Sequence, residues 1–170
     1  YKKTHSQTLL PMLDEMAKMI ELDLNTVDAI AVAGGPGSFT GLRIGSATAK
    51  GLGLALKKPL ISIPTEDGLA YNLCGTDKIV CPLMDARRNQ VYTGIYEFEG
   101  SELKVLESQM AVDITEIAEK LNKLGREVVF LGDGWPVYAE KLSELLNVPF
   151  MAAPAHMSRQ RAGALAALAM

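Results

Sequence analysis

The sequence predicts an α/β protein built from two similar halves. Short apolar runs alternate with longer segments whose apolar residues recur every three or four positions, as in strands followed by helices. A weak internal repeat supports two halves: a helix, an apolar strand, a glycine loop, a second helix and a short proline-led strand occur twice along the chain. The middle of the chain alternates polar and apolar residues, which predicts antiparallel strands.

The first half is predicted to begin with a helix over residues 8–22, N-capped by Ser6 or Thr8, with Pro11 in its first turn. One stripe of this helix is expected to face the core, and a second stripe of methionines needs another explanation. The two stripes are Leu10, Leu13, Ala17 and Ile20, and Met12, Met16 and Met19. The next predicted elements are a buried strand, a helix, a strand, a helix and a strand, at residues 28–33, 42–56, 59–63, 65–74 and 79–86.

From Asp85 the pattern predicts antiparallel strands around a turn at Gly100. Asp113 is expected to N-cap a helix that ends at Leu124, with Glu116 completing a capping box. A strand over residues 127–133, a helix that begins at Pro136 and a short strand over residues 148–152 follow.

The order of these elements predicts the domain organisation. Three antiparallel strands precede the second copy of the repeat and none precedes the first, so we expect three further strands before Tyr1 and read both ends of the sequence as cut. Two βββαβα halves are the plan of the actin, Hsp70 and sugar-kinase (ASKHA) superfamily. The expected halves are residues 1–76 and 77–155, and a helix over residues 156–170 is a candidate to complete the first half.

Composition argues against several classes of function. Seventeen basic and twenty acidic side chains give a net charge of −3, so any role on RNA would need a partner to supply positive surface. No apolar run approaches the roughly 18 residues of a membrane span, and no signal peptide is recognised, so we expect a cytoplasmic protein. Cys74 and Cys81 stand in apolar contexts that predict reduced core residues, with a disulfide as the less favoured alternative.

Two glycine loops admit a phosphate-binding or a purely structural interpretation. Backbone N–H groups and hydroxyls at a helix start could hold an anion, whereas glycines also permit tight turns with positive φ, and the structural interpretation is favoured at both loops. Neither the lysine of a Walker A loop nor Rossmann glycine spacing is present. The candidate nucleotide or phosphate residues are Gly35, Gly37, Ser38 and Thr40 in the first loop, and Gly132 and Gly134 in the second.

No catalytic residue or metal site is predicted. His5 and His156 stand far apart in sequence without metal-ligand spacing. Asp85 could hold a magnesium-bound phosphate or pair with Arg87 and Arg88, and the ion pair is favoured.

A docking surface explains more of the sequence. The second helix carries Gly45, Ala49 and Gly53 at four-residue spacing, which predicts a side that another helix can approach closely. Its other faces are also small or apolar, so the helix needs cover on more than one side. Together with the methionine stripe of the first helix, this favours a protein interface over cover by the rest of the fold.

The run from Gly35 to Gly45, GPGSFTGLRIG, closely resembles the signature of the bacterial TsaB family, also called YeaZ. Four flanking motifs occur in the family's order, and together they cover most of the chain. They are HSQTLLPML (5–13), KGLGLAL (50–56), PLMDARRNQVYTGIY (82–96) and HMSRQRAGALA (156–166).

The resemblance implies an ASKHA fold and a role in making N6-threonylcarbamoyladenosine, a modification beside the anticodon of tRNAs that read codons starting with A. In that family's pathway, TsaC makes threonylcarbamoyl-adenylate, and TsaD, which holds a metal through histidines, transfers the threonylcarbamoyl group to tRNA. The resemblance implies a non-catalytic scaffold without those histidines, which pairs with TsaD, works with TsaE and meets tRNA only through the complex.

The resemblance also implies where the partner binds. The first two helices are expected to form a bundle with the equivalent helices of TsaD, or of a second copy of the chain when TsaD is absent. The expected partner-binding residues are Met12, Met16, Met19, Arg43, Ala47, Lys50 and Leu54. No cofactor is firmly implied, although ATP or ADP with magnesium at the partner interface is an expectation. Glu66 is more charged, and Trp135 is bulkier, than the family pattern leads us to expect.

Rival interpretations come from other classes. A sugar-kinase-like ATPase would need acidic phosphate-handling residues on both halves, and only Asp85 is a candidate. A glycopeptidase would need a zinc site. A stand-alone homodimeric module would use the same helices for permanent self-association.

Overall fold

The computed structural model describes residues 5–170, which form two compact units that divide at Pro64. The first unit contains α1 (His5–Met19), a short 3₁₀ helix (Leu24–Thr26), β1 (Ile30–Ala33), α2 (Phe39–Leu56) and β2 (Leu60–Ile63). β1 and β2 pair in parallel, with Ile30 opposite Leu60 and Ala33 opposite Ile63. Because α2 connects two parallel strands, the predicted strand–helix–strand order is confirmed.

The ends of both helices follow from local backbone chemistry. α2 begins earlier than the predicted Leu42, because the Ser38 hydroxyl accepts a hydrogen bond from the Gly41 N–H at 3.3 Å and caps the helix. α1 ends at Met19 rather than Leu22, because Glu21 takes a positive φ of 50° and the chain turns. Such left-handed residues commonly terminate helices.

The small-residue side of α2 packs on the unit's own sheet. Ala49 and Gly53 are the buried residues of the helix, and a Cβ added at Gly53 would lie 3.0 Å from the Leu60 side chain on β2. The prediction that this side accepts another helix is therefore wrong for Ala49 and Gly53, which the unit's own sheet covers. The small residues instead let α2 approach β2 closely.

The predicted core stripe of α1 is exposed. Leu10, Leu13 and Ile20 are all exposed large apolar residues, and α1 buries none of its residues. The stripe was expected to face a core, but within residues 5–170 the sheet of this unit has two strands, and α2 packs against it. Both apolar stripes of α1 are therefore open in this chain.

The second unit carries a five-stranded sheet in the order β5-β4-β3-β6-β7. Its strands are β3 (Ile79–Arg87), β4 (Gln90–Glu99), β5 (Glu102–Asp113), β6 (Val128–Leu131) and β7 (Phe150–Ala152). Its helices are α3 (Thr65–Ala70), α4 (Ile114–Leu124), α5 (Trp135–Leu145) and α6 (Ala162–Leu168), with 3₁₀ helices at Tyr71–Leu73 and Ala155–Met157. β3, β4 and β5 are antiparallel, whereas β3, β6 and β7 are parallel. This is the predicted βββαβα plan, and the ASKHA-like α/β fold is confirmed.

Side-chain alternation along β3 places a core on each face of this sheet. One core surrounds Ile79, Cys81 and Leu83 and is covered by α4 and α5. The opposite core surrounds Val80 and includes residues of α3. The first core is larger because α4 contributes a complete apolar stripe, Ile114, Ile117, Ala118 and Leu121.

The division between units differs from the predicted boundary after residue 76. α3 packs on β3 and β4, and α6 packs on α3, where Leu165 lies against Gly68. The Asn72 amide donates hydrogen bonds to the carbonyl oxygens of Met157 and Arg159, at 2.9 and 2.7 Å. The segment after Pro64 and the C-terminal helix therefore both belong to the second unit.

Three further expectations are corrected, confirmed or refined. Cys81 is buried as predicted, but Cys74 is exposed, and both thiols are free. Asp113 caps α4 by accepting hydrogen bonds from the N–H and hydroxyl of Thr115, at 2.9 and 2.8 Å. α5 begins at Trp135, one residue before the predicted Pro136.

Candidate docking surface

One face of α2 is open along the whole helix. Arg43, Ala47, Lys50 and Leu54 are all exposed, and their spacing of three and four residues places them on one side of the helix. Leu54 has 83% of its surface exposed, although apolar side chains gain free energy when they leave water. The predicted partner-binding residues of α2 therefore form a single stripe.

Phe39 extends this stripe at its N-terminal end and was not predicted. It lies one turn before Arg43, is 69% exposed, and its ring lies under the Arg43 guanidinium. Phe39 was assigned to the loop because the helix was expected to begin at Leu42. The signal that could have found it is Ser38, a preferred N-cap residue directly before Phe39.

The methionine stripe of α1 is open as well. Met12, Met16 and Met19 expose 57%, 59% and 78% of their surface. α1 contacts α2 within the first unit. We call the two stripes together the docking surface: Phe39, Arg43, Ala47, Lys50 and Leu54 on α2, and Met12, Met16 and Met19 on α1.

Both charged residues of the docking surface on α2 are basic. Arg43 and Lys50 contribute two positive charges and the rest of that stripe is uncharged. On α1, Lys18 is paired with Asp14 at 2.6 Å. An apolar stripe with two basic residues suits a partner surface that is apolar and carries acidic groups.

The first glycine loop is used by the fold itself. Gly35 has a φ of +112°, and the Gly34 N–H donates to the Ile63 carbonyl oxygen at 2.8 Å. The Ser38 hydroxyl is the acceptor of the helix cap, while Gly37 and Thr40 are exposed. The turn and the helix start thus account for Gly34, Gly35 and Ser38 without a ligand.

The second glycine loop is required by a close backbone approach. Gly132 has a φ of +99°, and a Cβ there would lie 2.2 Å from the Leu83 carbonyl oxygen. The Gly134 N–H donates to that same oxygen at 2.9 Å. Both glycines therefore join the end of β6 to β3.

Asp85 is engaged by neighbouring groups. Its carboxylate accepts hydrogen bonds from the Arg87 N–H at 2.9 Å and from the Tyr138 hydroxyl at 3.0 Å. The Arg87 side chain lies 4.0 Å from the other carboxylate oxygen, which confirms the favoured ion pair for Arg87. Burial and the Asp85 carboxylate together raise the pKa of Tyr138.

His5 and His156 lie on different elements, α1 and the 3₁₀ helix Ala155–Met157. Across residues 5–170, no three histidine, cysteine, aspartate or glutamate side chains come together in a group that could hold a metal ion.

None of the helices within residues 5–170 is long and apolar enough to span a membrane.

Comparisons with known proteins agree with this fold. A family model described as TsaD, tRNA N6-adenosine threonylcarbamoyltransferase, matches residues 1–168. The tRNA threonylcarbamoyladenosine biosynthesis protein TsaB of Bacillus subtilis is 32% identical over 146 residues, which are 86% of this chain and 64% of that protein. The TsaB protein of Haemophilus influenzae is 31% identical over 162 residues, 90% of this chain and 68% of that protein.

A solved structure, YeaZ from Pseudomonas aeruginosa, superposes with a TM-score of 0.77 at 29% identity. The match covers 97% of this chain and 76% of that one, so the chain spans part of the length of its relatives. The sequence motifs, the fold and these similarities lead to one conclusion. The chain belongs to the TsaB (YeaZ) family, within the wider group that the TsaD family model describes.

Proposed function

We propose that the protein takes part in the synthesis of N6-threonylcarbamoyladenosine in tRNA, as a non-catalytic subunit that pairs with TsaD. The names of its TsaB relatives support the pathway. The match to the TsaD family model supports a common ancestry with the transferase itself, and related chains often associate through equivalent surfaces.

The observation that carries the pairing is the open stripe of α2. Phe39 and Leu54 are among the most exposed large apolar side chains of the described residues, and both lie on this stripe. Aromatic, methionine and arginine side chains are enriched at protein interfaces, and the docking surface contains all three. These features are typical of a surface covered by a partner helix.

In this proposal the protein supports the transferase and contributes no reacting group. tRNA is reached only through the complex, because the net charge of −3 supplies no phosphate-binding surface. The modified tRNAs are those that read codons starting with A, TsaE is a further partner, and the chain self-associates when TsaD is absent. Binding of ATP or ADP with magnesium at the partner interface stays a prediction.

A reconstituted modification assay tests the proposal. Unmodified tRNA is incubated with TsaC, TsaD and TsaE from the same organism, their substrates, and either the full-length protein or none. Mass spectrometry of the digested tRNA then measures threonylcarbamoyladenosine. We expect the product only when the protein is present, and a large loss with the double variant Ala47→Glu, Leu54→Glu. Equal product without the protein would overturn the proposal.

A matched variant controls for the added charge. Val137 is 58% exposed on α5, the helix of the second unit that corresponds to α2 in the repeat. Val137→Glu places a carboxylate on an exposed apolar position outside the docking surface, so it should leave product formation unchanged. If it lowers product formation as much as the double variant does, the effect does not belong to the docking surface.

A further inference from the structure

Glu66 is a carboxyl group buried without a partner. It is the second residue of α3, its side chain has no exposed surface, and neither carboxylate oxygen has a hydrogen-bond partner in the described chain. An ionised carboxylate in such a place loses its hydration and gains nothing in return. The neutral acid is much less costly to bury, so the surroundings favour the protonated form.

The groups that face Glu66 strengthen this preference. The two charged side chains that act on it are acidic: Asp133, in the loop after β6, and Asp67, its neighbour on α3. α6, which packs on α3, has no ionisable side chain between Ala162 and Leu168. Burial first, then Asp133 and Asp67, raise the pKa of Glu66 to about 8.

The buried Thr65 hydroxyl, next to Glu66 on α3, likewise has no hydrogen-bond partner among the described residues, whereas other polar groups nearby bond elsewhere. Tyr96 on β4 donates its hydroxyl to Asp67 at 2.8 Å, and the Cys81 thiol on β3 lies 3.3 Å from the Thr93 hydroxyl. None of these contacts compensates an ionised Glu66.

Glu66 also lies on a short helix that a change in the charge of one side chain could displace. α3 has six residues and begins immediately after the chain leaves the first unit at Ile63. It is held by apolar burial of Leu69 and Ala70 and by Leu165 of α6 against Gly68. A helix this short has little stability of its own, so its position depends on packing.

We propose that Glu66 is a pH-sensitive switch in the second unit: the neutral carboxyl allows α3 to pack on β3 and β4, and its ionisation releases the helix into water. This regulation is independent of the proposed function, since it concerns the second unit alone. Release exposes the carboxylate, restores its hydration and separates it from Asp133.

The direction of the pH dependence follows from proton linkage. The ordinary pKa of this carboxyl is 4.5 and its value in the packed state is about 8, so the packed helix binds the extra proton between these limits. Packing is therefore favoured at low pH and is lost as the pH rises toward 8. The equilibrium constant for release of α3 from the sheet should rise about tenfold per pH unit between these two pKa values and level off at higher pH.

Hydrogen exchange measures this opening directly. We would follow amide exchange of Thr65–Ala70 by mass spectrometry in the full-length protein and convert it to protection factors, which removes the intrinsic pH dependence of exchange. From pH 6.0 to pH 7.5, protection in the wild type should fall roughly 20- to 30-fold, the linkage value for these limits. Glu66→Gln and Glu66→Leu should change by less than about twofold over the same range.

A matched control and an independent readout keep the test decisive. Glu140 is exposed on α5, so Glu140→Gln removes a carboxylate of the same unit and should keep the full pH dependence. Carbon-13 NMR of the wild type should show one glutamate carboxyl titrating between pH 7 and 9. This signal should be absent from the spectrum of Glu66→Gln. Protection that is flat with pH, an unchanged slope in both Glu66 variants, or titration of Glu66 near 4.5 would overturn the proposal.

Discussion

The guanidinium carbon of Arg43 lies 3.9 Å from the centroid of the Phe39 ring, one turn earlier on α2. This cation–π contact is exposed, so it contributes only about 0.5–1 kcal/mol to the isolated chain. It nevertheless favours the stacked arrangement of a large aromatic ring and a charge at the end of the docking surface. A preorganised pair of this kind loses less conformational freedom when a partner covers it.

Phe39→Ala should weaken TsaD binding without unfolding the protein. Removing an aromatic anchor from an interface typically costs tenfold or more in affinity, whereas its 69% exposure predicts a loss of less than about 1 kcal/mol in the free energy of unfolding. Titration calorimetry and urea unfolding measure the two quantities. Val137→Ala, outside the docking surface, should alter neither by much; equal affinity of Phe39→Ala and wild type for TsaD would contradict the assignment of Phe39.

Gly132→Ala should destabilise the second unit severely. The added methyl would meet the Leu83 carbonyl oxygen at 2.2 Å in a backbone conformation with φ of +99°, so we expect a loss of at least about 3 kcal/mol. Urea unfolding followed by fluorescence of Trp135, which stacks on Phe130 at 5.1 Å, reports this unit. Gly163→Ala in α6 meets no neighbour within 4 Å and should be neutral or slightly stabilising. Similar unfolding midpoints for the two variants would show that the close approach at Gly132 is not required.

Asn72→Ala should release the C-terminal segment from the second unit. The variant loses the hydrogen bonds to Met157 and Arg159, and trypsin should then cleave after Arg159 or Arg161 several times faster. Asn122→Ala is the matched control, because the Asn122 amide likewise makes two hydrogen bonds to backbone groups, with the Leu145 carbonyl and the Asn147 N–H. Equal cleavage rates at these arginines in both variants would mean that Asn72 does not hold the segment.

Thiol labelling should distinguish the two cysteines. Cys74 is exposed, whereas Cys81 is buried and its pKa is raised to about 12, chiefly by burial. Because the thiolate is the reactive form, a thiol reagent at pH 8 should modify one cysteine per native chain and two per unfolded chain. Cys74→Ser should reduce the native count to zero; rapid modification of two thiols in the native wild type would contradict the buried position of Cys81.

Much of the fold could be predicted because local sequence signals and packing agree. The alternation of Ile79, Cys81 and Leu83 with Val80 marks a strand with apolar faces on both sides, and Asp113 marks a helix start that the structure reproduces. The internal repeat was visible for the same reason: each copy needs a helix between two parallel strands, and parallel strands require such a crossover.

The failures have physical causes as well. An apolar stripe such as Leu10, Leu13 and Ile20 predicts burial, but the sequence does not reveal whether the chain or a partner provides it. Cys74 was misplaced for a related reason, since its apolar neighbours are buried only in part and the chain turns at Gly75. Glu66 drew attention as an unexpected charge, but its lack of a partner depends on packing by β3, β4 and the loop at Asp133, which no local pattern encodes.

The most direct test of the account is the mass of the complex between the full-length protein and TsaD from the same organism, measured by light scattering after size exclusion. We predict a one-to-one complex for the wild type and for Val137→Glu, and no complex for the double variant Ala47→Glu, Leu54→Glu with an unchanged circular dichroism spectrum. A wild type that elutes apart from TsaD, or a double variant that binds it as the wild type does, would contradict the claim that the open stripe of α2 is where TsaD docks.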